Sequence, residues 1–172
     1  MNHLRKYLKK NVEKITIQEI ADNCDLSSAT FYRHFKDKYD LITWDYVQDT
    51  SLIMKKLGKD GYVWRKAVED GVDYFHKHRD YLKNLLKHTS GYNAFIEQIT
   101  AVHIELLTNE VKRRLEKDVL QEDLMLLIKI YCYGTVELSC RWIIGDINAI
   151  ALKIEEAYMN ALPEALKLCL NT

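Results

Sequence analysis

Apolar positions recur along this chain at three- and four-residue intervals, the period of helices that bury one face, and no alternating strand-like run stands out. Ile17, Ile20 and Ala21 mark a first short helix from Ile17 to Asn23, opened by Thr16 as N-cap with Glu19 three residues later in a capping box. Cys24-Asp25-Leu26 makes a turn that needs one left-handed residue, and Asp25 is among the few non-glycine residues that tolerate that conformation. Ser27 caps a second helix, from Ser28 to Phe35. Further helices are predicted from Asp37 to Leu57, Tyr62 to His78, Asp80 to Lys87, Asn93 to Lys117 and Asp123 to Ile144. Turns fall at Gly58-Lys59-Asp60-Gly61, Thr89-Ser90-Gly91 and Gly145-Asp146. Asp146 or Asn148 then caps a helix with the stripe Ile147, Ile150, Ala151, Ile154, Tyr158 and Ala161, Pro163 stops it, and a last short helix carries Leu166 and Leu170. The expected fold is all-α.

The second helix separates its faces. Phe31 and Phe35, four apart, share one side and with Leu26, Ile20 and Ala21 form a small core. At about 100° per residue, the opposite side carries Ala29, Thr30 and Arg33, with Ser28 and Tyr32 on its flanks. Small, hydroxylic and cationic groups on one outward face suit close approach to a DNA groove. Tyr32, His34, Lys36 and Lys38 are potential phosphate donors beside it.

These residues carry a resemblance. T-x-x-x-I-A, a turn ending L-S, then T-F-Y-x-H-F-x-x-K-x-x-L resembles the N-terminal signature of the TetR/AcrR family of bacterial transcriptional regulators, over about the first 45 residues. The resemblance implies a helix-turn-helix headpiece whose second helix enters the major groove. By position, Ser28, Ala29 and Thr30 then face bases, Tyr32, His34 and Lys38 hold phosphates, and Thr16 meets the backbone from the preceding helix. Arg33 falls at a variable position, for a base or a phosphate. Two departures stand out: Asp25 replaces the usual glycine of the turn, and the chain starts one to two helical turns late, leaving Leu4 and Leu8 as the inward positions of a short first helix. Either the start codon is misassigned, or the first helix is short and the headpiece less stable.

Composition sharpens this picture in two places. The formal net charge is zero, so the whole protein is not a generic polyanion binder. Residues 1–14 nevertheless hold Arg5, Lys6, Lys9, Lys10 and Lys14 against Glu13, which puts positive charge beside the proposed reading helix. No apolar leader core opens the chain, and Lys129, Glu137 and Arg141 interrupt its most apolar stretch, so a cytoplasmic protein without a membrane span is expected. The four cysteines form no C-x-x-C pair; Cys132 and Cys140 lie roughly 12 Å apart along one helix, too far for a disulfide.

The expected organisation is a DNA-binding headpiece, 1–44, and a helical effector-binding and dimerisation domain, 45–172, joined without a flexible linker inside one helix near Trp44. The two long apolar helices near the C-terminus invite an isologous contact that would pair two copies through a four-helix bundle. Interface residues are expected among Tyr131, Thr135, Leu138, Trp142, Ile150, Ile154 and Tyr158. An effector cavity between helices is expected to use Tyr74, Tyr92, Phe95, His103, Tyr131 and Trp142. Glu137 and Arg141 make either an intrahelical ion pair or a polar anchor at the seam or pocket. The run Y-C-Y-G-T-V-E-L-S-C-R-W-I-I-G-D is similar to the subgroup containing dihydroxyacetone-kinase operon activators, which implies a signal from a partner protein in place of a free ligand.

No Gly-rich phosphate loop, H-E-x-x-H, G-x-S-x-G or paired-cysteine metal signature is present, and His76 and His78 point about 200° apart on a helix. Neither an enzyme nor a cofactor is expected. The expected partners are double-stranded DNA, a second copy, and a small-molecule effector or co-regulator protein, with no membrane. The competing reading is a helical interaction module that has lost DNA binding.

Overall fold

The computed structural model describes residues 14–88 and 92–170, with side chains at 14–87 and 96–170. Among the described residues the regular structure is helical: α1 (Ile17–Asp22), α2 (Ser28–Tyr32), α3 (Lys38–Met54), α4 (Trp64–Lys77), α5 (Arg79–His88), α6 (Tyr92–Leu115), α7 (Glu122–Ile144), α8 (Ala151–Ala161) and α9 (Glu164–Leu170). Leu4, Leu8 and the basic residues Arg5 to Lys10 lie outside the described residues.

The headpiece is built on caps. Thr16 and Glu19 form the expected reciprocal box: the Glu19 N–H donates to the Thr16 hydroxyl and the Thr16 N–H donates to the Glu19 carboxylate at 2.7 Å. Asp25 takes the left-handed conformation, φ 54°. Ser27 accepts from the Thr30 N–H at 3.1 Å and opens α2. That helix ends at Tyr32, three residues earlier than expected, because the N–H groups of His34 and Phe35 both turn onto the Phe31 carbonyl. Asp37 then caps α3, accepting from the N–H groups of Tyr39 and Asp40.

The small core differs from expectation at one residue. Leu26 is 50% exposed, since its own N–H closes the turn onto the Ala21 carbonyl and leaves the side chain outside. Ile15 is buried instead, with Ile20, Ala21 and Phe31. The same hydrophobic cluster runs on through Leu41, Ile42 and Tyr46 of α3 to Leu82 and Leu85 of α5 and to Val136 and Ile143 of α7. One continuous core therefore crosses the position near Trp44, and α3 passes through it without a break.

The second cluster fills the far end of the body, where α4, α6, α7, α8 and α9 meet around Val72, Val111, Ile128, Leu162, Leu166 and Leu170. Trp64 is the inward residue at the start of α4, although the helical period of this stretch puts Val63 on the inward side; Val63 is exposed. The basic end of α6 does more than complement a helix terminus. The Arg114 side chain is 8% exposed, binds Glu110 at 2.6 Å and donates to the Cys169 carbonyl, which fixes α9. Burial pushes the Glu110 carboxyl up, but hydrogen bonds from Arg113 and Arg114 outweigh it and hold the group below its ordinary value.

Gly145, at φ 98°, ends α7 as expected. Neither Asp146 nor Asn148 caps the next helix: α8 starts at Ala151 behind Ile150, whose side chain is exposed. Asp146 instead approaches Arg141 at 3.5 Å. Arg141 and Glu137 make the intrahelical pair, 2.7 Å, on the outward side of α7. None of the four cysteines is in a disulfide, and burial pushes the thiols of Cys132 and Cys140 up to about 12, which makes them inert packing groups. Cys24 is exposed.

Candidate nucleic-acid interface and internal cavity

Phe31 fixes what α2 presents. It is buried, tilted against Phe35 at 5.6 Å and edge-on to Tyr32 at 5.7 Å; Phe35 in turn meets Trp44 of α3 edge-on. With that side inward, Ala29, Tyr32, Arg33 and His34 are exposed on the other. Tyr32, 59% exposed despite its ring, stands at the edge of this face.

The remaining expected contacts have roles inside the protein as well. The Ser28 hydroxyl donates to Gln18 of α1 at 2.7 Å, and Gln18 also donates to Asp22. This chain of bonds sets the angle between the two helices of the motif. The Thr30 hydroxyl lies 3.0 Å from that of Ser27 and accepts from the Arg33 guanidinium at 3.1 Å, so Arg33 is folded back along α2. Thr16 keeps its hydroxyl on Glu19. The Lys38 ammonium donates to the Ile15 carbonyl at 3.0 Å, half-buried at the junction of α3 and the headpiece. Gln18 and Ile15 escaped the sequence reading; the i, i+4 spacing of Gln18 and Asp22 was the available signal.

A second feature lies in the body. A cavity of about 110 Å³ opens between α3, α4, α6, α7 and α8. His103 and Tyr131, both expected there, line it. Tyr74 and Trp142 do not. Tyr74 packs on Tyr46, Phe75 and His78. Trp142 donates its indole N–H to the Ala149 carbonyl at 2.8 Å and lies under the Arg79 guanidinium, which holds the α7–α8 connection. The side chains of Tyr92 and Phe95 lie outside the described ones. Gly71, Cys132 and Tyr158 are lining residues that periodicity marks only as inward, because core and cavity wall share one pattern, and Trp64 lines it too although the helical period marks Val63 in its place.

His103 joins the cavity to the headpiece helix. Its ring stacks on Tyr46 of α3, and its Nε2 shares a hydrogen bond with the Tyr46 hydroxyl at 2.5 Å. One part of the ring borders the cavity, and otherwise protein encloses it; that burial drives its pKa down to about 4, so the imidazole is neutral. The polar wall opposite is self-satisfied: Ser139 and Tyr158 share a proton contact, Tyr158 also donates to the Thr135 carbonyl, and Tyr131 donates to the Tyr158 carbonyl.

Of the residues expected at a seam between copies, Tyr131, Trp142, Ile154 and Tyr158 are buried by their own chain, since α8 and α4 already cover that side of α7. Thr135 is half-buried on the cavity, Leu138 is half-buried, and Ile150 is exposed. The uncovered side of α7 instead carries Leu126, Ile130 and Tyr133. Among the described residues no cluster of His, Cys, Asp or Glu is arranged to hold a metal, and no helix is long and apolar enough to cross a membrane.

Comparison with known proteins agrees with this architecture at both ends. A family model described as bacterial regulatory proteins, tetR family, matches residues 7–43, and one described as transcriptional regulator C-terminal region matches residues 63–159, more than half of the chain. The uncharacterized HTH-type transcriptional regulator YerO of Bacillus subtilis (strain 168) is 27% identical over 168 residues, covering 92% of this chain and 53% of YerO. The chain thus spans about half the length of this curated relative. Among solved structures, the dihydroxyacetone kinase operon activator DhaS superposes with a TM-score of 0.63 at 14% identity, over 98% of this chain and 94% of DhaS, a likeness of fold. The relatives so found are named as regulators of transcription, not as enzymes. With a capped two-helix headpiece at one end and a matching helical body at the other, this chain belongs to the TetR family of bacterial regulatory proteins.

Proposed function

We propose that this protein is a transcriptional regulator that binds a near-palindromic DNA operator as a homodimer, under control of an effector event in its helical body. The observation that carries the DNA-binding part is the outward face Ala29, Tyr32, Arg33 and His34, set over a buried Phe31. Ser28, Ala29 and Thr30 are the base-reading group; Tyr32, His34, Lys38 and Thr16 position the headpiece on phosphates. Lys38 acts from the joint between headpiece and α3, where its ammonium donates to the Ile15 carbonyl.

The seam between copies is the uncovered stripe Leu126, Ile130 and Tyr133 of α7, spaced i, i+4, i+7. Gly134 supports this choice. It sits mid-helix and exposed, where glycine costs about 1 kcal/mol relative to alanine. A methyl group there would meet nothing within 4 Å in its own chain, so no contact inside the protomer asks for glycine. Close approach of a second α7 does. Effector control runs through α3: an occupant of the cavity that displaces the His103 ring loosens its bond to Tyr46, and α3 carries the headpiece.

An electrophoretic shift with DNA from upstream of its own gene tests the reading. Binding is expected, and Lys38→Ala is expected to weaken it on all sequences and lower the salt slope by about 1. Absence of any shift would leave the exposed stripe as the docking face of an interaction module.

A further inference from the structure

Hydrogen bonds behind the reading face fix something that side-chain identity alone leaves open, the direction in which one of its hydroxyls donates; this inference rests on the proposal that Ser28 faces bases. Gln18 and Asp22 lie four apart on α1, about one helical turn, and Ser28 opens α2. Gln18 Nε2 lies 2.6 Å from Asp22 Oδ1, and Ser28 Oγ lies 2.7 Å from Gln18 Oε1.

The protons along this chain follow one from another. A carboxylate only accepts, so Asp22 meets the amino side of the Gln18 amide. The carbonyl side of that amide then faces Ser28, and a carbonyl also only accepts. The Ser28 hydroxyl therefore gives its single proton to Gln18 and turns only lone pairs toward anything else. The neighbouring hydroxyls are not set in this way: those of Ser27 and Thr30 lie 3.0 Å apart with either able to donate. The Arg33 guanidinium, which donates to Thr30, has donors only.

In the major groove, adenine N6 and cytosine N4 carry amino groups that donate, while guanine O6 and N7 and thymine O4 accept. A hydroxyl whose proton is already committed pairs with the first kind and sets acceptor against acceptor with the second. We infer that Ser28 reads the exocyclic amino group of an adenine or a cytosine, and that Gln18 and Asp22 are positioning residues that impose this choice from α1. To meet guanine or thymine instead, the hydroxyl would have to leave Gln18 and strand its carbonyl oxygen in a closed interface. Asp22→Asn lifts the constraint. An asparagine amide both donates and accepts, so the Gln18 amide is free to turn over and Ser28 is free to donate outward.

Two readouts test this, one of them without DNA. In the free full-length protein, NMR follows the two side-chain amide protons of Gln18. One is expected downfield of its position in Asp22→Ala, and identical positions in the two proteins would overturn the chain of bonds. For the second readout the probe is a duplex of the sequence that the parent protein enriches from a random pool. Ser28→Ala locates the contacted base pair as the one whose preference changes; no change at any position would overturn the inference. Analogues of adenine or cytosine lacking only the amino group are then placed there. The parent is expected to bind them about threefold to tenfold more weakly, and Ser28→Ala and Asp22→Asn to lose less than about twofold, which also controls for the weakened base pair. A parent that is weakened instead by a purine with carbon in place of N7 would overturn the assigned direction. So would Asp22→Asn keeping the full amino-group penalty, since an Asp22 that only supports the fold lowers affinity on every duplex and leaves that penalty unchanged. Failure to enrich any sequence contradicts the operator reading and the base contact with it. A protein that enriches a sequence but is indifferent to the analogues contradicts the role of Ser28 alone.

Discussion

Asp25 holds φ 54° at the turn between α1 and α2, a conformation that costs a side-chain-bearing residue about 1–2 kcal/mol and glycine almost nothing. Asp25→Gly is therefore expected to raise the unfolding free energy slightly and Asp25→Val to lower it by about 1 kcal/mol or more, read from chemical denaturation. Thr30→Ala is expected to change operator preference by about 1–3 kcal/mol while leaving random-DNA affinity unchanged; equal losses on both would remove its base-reading role. His103 gives a pH signature. Its folded pKa of about 4 lies below the unfolded value near 6.5, so the unfolded chain binds the extra proton between them. Stability is expected to be full above about pH 6.5 and to fall as pH drops toward 4, and His103→Gln is expected to flatten that part of the melting-temperature profile. At this scale the caps were legible in the sequence: Thr16, Glu19 and Ser27 act through bonds only three residues long. Leu26 was not, because apolarity marks a residue that prefers burial, while the turn geometry decides where it points.

Elements were legible to within a turn at their ends, and faces less so. The end of α2 was overestimated because Phe31 and Phe35 keep helical spacing even though the backbone leaves the helix at Tyr32. The start of α8 was misplaced because Asp146 and Asn148 have the chemistry of caps, while Asp146 approaches Arg141. Aromatic residues were the least informative: Trp142 and Tyr74 have the same pattern as cavity-lining Tyr131, and only the tertiary packing separates them. Two helix-interior glycines give contrasting predictions. Gly71→Ala is expected to stabilise the protein by about 0.5–1 kcal/mol, since its methyl group enters open space in a helix. Gly134→Leu gains helix propensity in the same way, yet is expected to shift a dimer toward monomer in sedimentation equilibrium. A Gly134→Leu protein that dimerises like the parent would move the seam away from this face of α7.

The whole molecule joins a small reading surface to a body through one helix. Ile15, Ile20 and Phe31 share a core with α3, α5 and α7, so the headpiece is not hinged freely on the rest. In the proposed function, that continuity lets α3 carry a change at His103 to the headpiece. Selection from a pool of random duplex DNA by the full-length protein tests this account most directly. The predicted result is enrichment of a two-fold-related sequence whose half-sites lie about one helical turn apart, with the preference within each half-site altered in Thr30→Ala. Recovery of no common sequence, or of one that lacks two-fold symmetry, would contradict it.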